Sequence, residues 1–195
     1  MKFIGFYDYT VILTYMSLIS AMVGIVSASR DRFTAAILCL MLSGFCDAFD
    51  GIVARSKKNR TEDEKAFGIQ IDSLCDAVAF GVAPALLCYH MGMDRVLGIA
   101  ILCAYSLCAV IRLAFFNVLE GKRQQTEGGC NKTYRGLPVT ASSMILPLVY
   151  LTRFLLPGKV FRAVLHVAMA LIAYLFILDF SVKKPDWTRI LKGAK

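Results

Sequence analysis

The sequence predicts an all-α polytopic membrane protein with six transmembrane helices and both termini on the cytoplasmic side. Three observations predict it. Mean hydropathy is +0.61 and 57% of the 195 residues are apolar, too much for an ordinary soluble domain. Six stretches are long enough to span a bilayer, where about 20 apolar residues suffice. The Lys and Arg residues between those stretches are unevenly shared between the two sides, which sets the orientation.

The first stretch, residues 10–28, follows Met1, Lys2 and a segment bearing Tyr and Asp; without a convincing cleavage site it reads as a retained helix, not a leader. The second, 33–55, ends on Asp47, Asp50, Gly51, Ala54 and Arg55. The third, 68–90, opens on Gly68, Asp72 and Asp76. The fourth, 95–119, carries Arg112 and Asn117, and the fifth, 137–156, begins at Pro138, a residue suited to a first helical turn. The sixth covers 160–181. The tail after it mixes Lys183, Lys184, Arg189 and Lys192 with Trp187, which reads as a membrane-surface anchor. Residues 2–7 are expected to lie along the surface as well. No repeat, low-complexity tract or long linker interrupts the pattern, so residues 1–195 form one expected domain.

Fifteen of the 22 Lys and Arg residues, counting Arg55 at the very end of the second stretch, fall before the first stretch, between the second and third, between the fourth and fifth, or after the sixth. Six lie on the other side, and Arg112 is within the fourth stretch. The positive-inside rule therefore places both termini, and the aspartate-bearing ends, toward the cytoplasm. The net charge of +8 suits an anionic leaflet, whereas nucleic-acid binding would need a basic patch on a soluble surface. Six of the seven cysteines (Cys39, Cys46, Cys75, Cys88, Cys103 and Cys108) lie in apolar segments and read as small buried residues; Cys130 is in a loop. His90 and His166 have no metal-ligand spacing.

The aspartates are the costly feature. A carboxylate near a bilayer core costs about 2.5–3.5 kcal/mol on insertion scales, so four of them need compensation, and a divalent cation supplies it. With about 100° per residue, Asp50 lies about 60° from Asp47, and Ser43, Gly44, Gly51 and Ala54 fall within the same arc. Gly68, Asp72, Asp76, Ala79 and Ala83 share an arc of about 80°. Small residues on these faces let helices approach or leave space for a ligand. Oxygen donors on two rigid helices suit Mg2+ or Mn2+, singly or as a close pair. An isolated aspartate could merely snorkel or bond a neighbour, but that reading fits this spacing poorly. Neither an EF-hand pattern nor a Gly-rich phosphate loop is present.

The run Asp47, Asp50, Gly51, Ala54, Arg55, Gly68, Asp72, Asp76 closely resembles the signature of the CDP-alcohol phosphotransferases, integral membrane enzymes that move a phosphatidyl or similar group from a CDP-linked donor to an alcohol. All fixed positions of that signature are present, in order, over 47–76. Two departures stand out: the polar stretch 56–67 is longer than usual, and Thr14 lacks the Pro-Asn pair many members place before it. No ligand contact is therefore expected from the first helix. Asp72 through Pro84, Arg112 through Asn117, and Tyr134 through Pro138 resemble the phosphatidylserine synthase branch of that family.

The resemblance implies that Asp47, Asp50 and Asp72 are metal ligands and that Asp76 shares in the metal site but is chiefly the general base. The expected cofactor is Mg2+ or Mn2+, as two ions. It implies further that Gly51, Ala54 and Gly68 make room for the cytidine diphosphate and that Arg55 meets its phosphate charge. The expected reaction carries a phosphatidyl group from CDP-diacylglycerol to L-serine and releases CMP. Serine brings a carboxylate, for which Arg112 and Arg135 are candidate partners, with Asn117 beside them; a structural salt bridge to an aspartate is the bland reading of Arg112. A homodimer in a bacterial or archaeal cytoplasmic membrane, with the site facing the cytoplasm, is the accompanying expectation. Three rivals stay open here: the same chemistry with glycerol 3-phosphate or an inositol compound as acceptor, a divalent-cation transporter, and a nonenzymatic assembly partner.

Overall fold

The computed structural model describes residues 5–7, 9–57, 61–125 and 133–183. Seven α-helices follow one another: α1 (Ile12–Ala28), α2 (Phe33–Ser56), α3 (Glu62–Asp76), α4 (Ala83–His90), α5 (Val96–Gln125), α6 (Ser142–Leu151) and α7 (Gly158–Ile177). A π-helical segment, Ala77–Val82, joins α3 to α4 into one continuous rod. Four rods are long and apolar enough to cross a membrane, over Phe33–Gly51, Glu62–His90, Val96–Leu119 and Gly158–Ile177. Ile12–Ala28 and Val139–Phe154 are apolar but shorter. The described residues are thus those of a predominantly helical integral membrane protein.

Helix α1 shows how small residues build such a bundle. Its buried face is Thr14, Ser17, Ser20, Ala21, Gly24 and Ala28, a spacing of three and four residues. Against α2, Ser17 and Ser43 share a 2.8 Å hydrogen bond and Ser20 Oγ donates to the Cys39 carbonyl at 2.8 Å. A Cβ on Gly24 would sit 3.2 Å from that of Cys39. In lipid, close backbones and hydroxyl bonds replace the hydrophobic drive that holds soluble helices together. The opposite face, with Ile12, Met16, Ile19 and Val23, is exposed and suited to acyl chains.

Helix α1 pairs most extensively with α2 and also lies against α3 and α4, while α5 pairs with α7. Backbone packing between α2 and α3 is slight by comparison, so a gap separates them where the aspartates sit. Among the fully buried side chains are Phe80, Tyr105, Leu146, Leu165, Met169 and Phe176. Helix α6 crosses α2 at Gly44, where any Cβ would collide with Ser143.

Several expected boundaries are corrected. The third rod starts at Glu62, not residue 68, because Thr61 and Glu64 form a reciprocal capping box, with hydrogen bonds of 3.2 and 3.0 Å. Three acidic residues in that first turn complement the helix dipole. Most of the polar stretch read as a loop is therefore helix. The fourth rod runs on to Gln125. The fifth is broken, with 3-10 turns at Val139–Ala141 and Thr152–Phe154 flanking a short α6. The sixth ends at Ile177, and Ser181–Lys183 (β2) instead pairs antiparallel with Thr133–Arg135 (β1), a small ribbon that the all-α expectation missed. Phe6 packs edge-on to Phe67 at 5.5 Å, tying the N-terminal segment to α3. Residues 1–4, Cys130 and the tail from Lys184, including Trp187, lie outside the described residues. The other six cysteines are free thiols.

Candidate metal and transfer site

Asp47 and Asp50 project from α2, and Asp72 and Asp76 from α3, into the gap between the two helices. Regular α geometry puts each pair on one face, i to i+3 on α2 and i to i+4 on α3. Across the gap, Asp47 meets Asp76 and Asp50 meets Asp72, each pair within hydrogen-bond reach. Asp50 and Asp76 are buried, with 9% and 8% of their surface exposed. Four carboxyl groups at such distances cannot all carry charge unless protons or cations lie between them.

The donor set fits a divalent ion. One oxygen each from Asp47, Asp50 and Asp72 lies within 4.8 Å of the others. Three carboxylates gathered this closely are the hard oxygen donors that Mg2+ or Mn2+ would take. Asp72 Oδ1 is buried and has no hydrogen-bond partner among the described residues, the one such side-chain atom among them. A buried orphan acceptor aimed at other carboxylates is what a cation would satisfy.

Two neighbours hold the carboxylates. Thr14 Oγ1 donates to Asp50 Oδ2 at 3.0 Å, so α1, from which no ligand contact is expected, supports a carboxylate instead. The hydroxyl stripe of α1 carried the missed signal: Thr14 begins the same three-and-four spacing as Ser17 and Ser20. Ser73, next to Asp72, donates to Asn117 Oδ1 at 2.7 Å and ties α3 to α5. Asn117 is thus brought next to the aspartate helix.

Arg112 is held between α5 and α7: its Nη1 donates to the Phe176 carbonyl at 3.1 Å and its guanidinium stacks on Phe116 at 4.5 Å. It borders a cavity of about 280 Å³ between α5 and α7, lined also by Ile111, Phe115, Leu178 and Asp179 and by none of the four aspartates. Gly136, at φ +65°, lets the chain pass Arg112 closely: a Cβ there would lie 2.5 Å from Nη1. Gly51 and Gly68 are half-buried on their helices. The side chains of Ala54, Arg55 and Arg135 lie outside the described part of the structure.

Comparison of the sequence with known proteins places the chain in a family. The CDP-alcohol phosphatidyltransferase family model matches residues 9–180. Archaetidylserine synthase of Methanothermobacter thermautotrophicus is 35% identical over 144 residues, covering 73% of this chain and 58% of that protein. The CDP-diacylglycerol–serine O-phosphatidyltransferase of Bacillus subtilis is 33% identical over 142 residues, 72% of this chain and 73% of the relative. The Saccharomyces cerevisiae protein of the same name is 37% identical over 116 residues, 58% and 41% of the two chains. The match therefore spans little more than half of the archaeal relative and less of the yeast one. No solved structure matches the chain.

Proposed function

This chain belongs to the CDP-alcohol phosphatidyltransferase family, and from that premise we propose that it transfers a phosphatidyl group from CDP-diacylglycerol to the hydroxyl of L-serine, releasing CMP. The observation that carries the reading is the convergence of Asp47, Asp50 and Asp72, with one carboxylate oxygen of each within 4.8 Å of the others. Serine as acceptor is supported by the names of the archaeal and bacterial relatives, both of which contain it.

Asp47, Asp50 and Asp72 hold divalent metal, Mg2+ or Mn2+ and as two ions, with Asp76 sharing the site. A metal held by these carboxylates would supply positive charge for the pyrophosphate and for the charge that gathers on the departing CMP. Asp76 takes the serine hydroxyl proton as that oxygen attacks the lipid-side phosphorus and the bond to CMP breaks. Thr14 holds Asp50 in register, and Ser73 with Asn117 holds the adjoining turn of α3. Gly51, Ala54 and Gly68 leave room for the nucleotide, Arg55 meets its phosphates, and Arg112, Asn117 and Arg135 serve the acceptor. The whole is one domain of six spans with cytoplasmic termini, acting as a homodimer with its site open to the cytoplasm. Lipid tails then stay in the bilayer while serine and CMP exchange with water.

A transport site is disfavoured, since such sites are built from unwound helices, whereas α2 and α3 are unbroken through all four aspartates. The test is CMP release by the purified protein in lipid–detergent micelles with CDP-diacylglycerol and Mn2+, offering serine, glycerol 3-phosphate and inositol separately. Chelator-sensitive release with serine alone is expected. Release with another acceptor alone overturns the serine assignment, and none with folded protein overturns the transferase reading. Asp76→Asn should lose turnover while still binding CDP-diacylglycerol; a fully active variant would remove the base assignment.

A further inference from the structure

The π-helical segment begins one residue after Asp76, and Pro84 explains why it exists. Proline has no N–H, and its ring clashes with the carbonyl four residues earlier, here that of Phe80. The chain widens there instead of breaking: the Ala83 N–H bonds back five residues to the Val78 carbonyl. The Phe80 carbonyl, deprived of its helical donor, is buried.

Helix α5 supplies what the proline withholds. Tyr105, wholly buried, donates its hydroxyl to the Phe80 carbonyl at 2.6 Å. On the next residue of each helix, Ser106 Oγ donates to the Gly81 carbonyl at 2.9 Å. The two helices pack closely here, since a Cβ on Gly81 would be in van der Waals contact with that of Ala109, at 3.5 Å. Two hydroxyls thus clamp two successive carbonyls of the π-turn.

An extra residue in a turn holds back the rotation of all that precedes it by about 100° relative to an unbroken α-helix. The π-turn therefore decides which way Asp72 and Asp76 point when α4 is seated in the core. We propose that Tyr105 and Ser106 are positioning residues that aim Asp76 into the carboxylate cluster by clamping the π-turn. Their consequence for turnover rests on the transferase reading above.

The experiment compares wild type with Tyr105→Phe/Ser106→Ala and with the same pair plus Pro84→Ala. Four quantities are measured: kcat, KM for CDP-diacylglycerol, Mn2+ affinity by the electron paramagnetic resonance of free Mn2+, and the thermal midpoint. The phenyl ring keeps the packing on Phe176, whose ring centroid is 5.4 Å away. In the double variant kcat should fall about 10- to 100-fold, as misplacement by an ångström does, with KM changed less than about twofold. Pro84→Ala returns an N–H to the Phe80 carbonyl, so the midpoint should recover while kcat stays low, because an α-turn there aims Asp76 wrongly. A double variant with wild-type kcat overturns the proposal. So does recovery of kcat together with the midpoint, which would make the hydroxyls mere structural donors. Should the wild type itself release no CMP, the transferase reading fails separately. Mn2+ affinity then decides, with weakening of about fivefold or more expected and an unchanged value overturning the proposal.

Discussion

Thr14→Val removes one hydroxyl and almost nothing else, which makes it the sharpest probe of the carboxylate cluster. Thr14 and Asp50 are 5% and 9% exposed, so water does not readily replace the 3.0 Å bond between them. A hydrogen bond to an ionised group contributes about 1.5–3 kcal/mol, or about 10- to 150-fold in an equilibrium constant. A bound cation also satisfies Asp50, so the low end applies to the metal-loaded protein. What the variant loses is the orientation that Asp50 has before metal arrives. Titrating CMP release against Mn2+ should therefore show half-activation at about tenfold higher concentration, with kcat at saturating metal close to wild type. Thr14→Ser keeps the hydroxyl and should stay within about twofold of wild type. A valine variant with unchanged metal dependence would refute the reasoning, because it would mean that Asp50 is held by something other than α1.

Other perturbations separate packing from chemistry. Gly44→Ala should destabilise the fold by about 1–3 kcal/mol through overpacking, measurable as a lower thermal midpoint. Ser143→Gly should restore it but Ser143→Ala should not, since the Ser143 Cβ itself would lie 2.6 Å from the new methyl. Thr61→Ala removes the cap of α3 and should cost about 1 kcal/mol of stability with kcat intact; loss of kcat would show that the helix start sets the aspartates. Arg112→Lys gives up the planar stack on Phe116. It should raise the KM for serine and leave that for CDP-diacylglycerol alone; equal loss for both substrates would assign Arg112 to structure.

The carboxylates were legible because charge in a membrane span is expensive and helical spacing is simple arithmetic. Asp47, Asp50, Asp72 and Asp76 could be put on facing stripes with nothing more than about 100° per residue. The capping box at Thr61 and Glu64 was equally open to reading, yet a run of charged residues between two apolar segments resembles a loop, and hydropathy outweighed the cap. The ribbon between 133–135 and 181–183 was not legible. Three-residue strands carry no periodicity, and their pairing joins segments 46 or more residues apart. The seat of Arg112 escaped for a similar reason, since a cation in an apolar helix announces that it has a partner without saying which.

The π-turn marks a different limit. Pro84 was visible within the third stretch, and a proline inside a helix predicts a kink, a break or a bulge without choosing among them. The residues that meet the widened turn, Tyr105 and Ser106, lie on another helix and donate to its carbonyls from across the interface. Thr14 is the same case from the other side of the gap: an ordinary hydroxyl until Asp50 is placed opposite it. A signature within two helices therefore specifies the chemistry of the carboxylates, but their aim depends on hydroxyls that neighbouring helices bring to them. Such a site tolerates sequence change around the signature only where the replacing residue still offers a donor. That is why Thr14→Val, which keeps the shape but not the hydroxyl, and Thr14→Ser, which keeps the hydroxyl but not the methyl, should part so clearly in their need for metal.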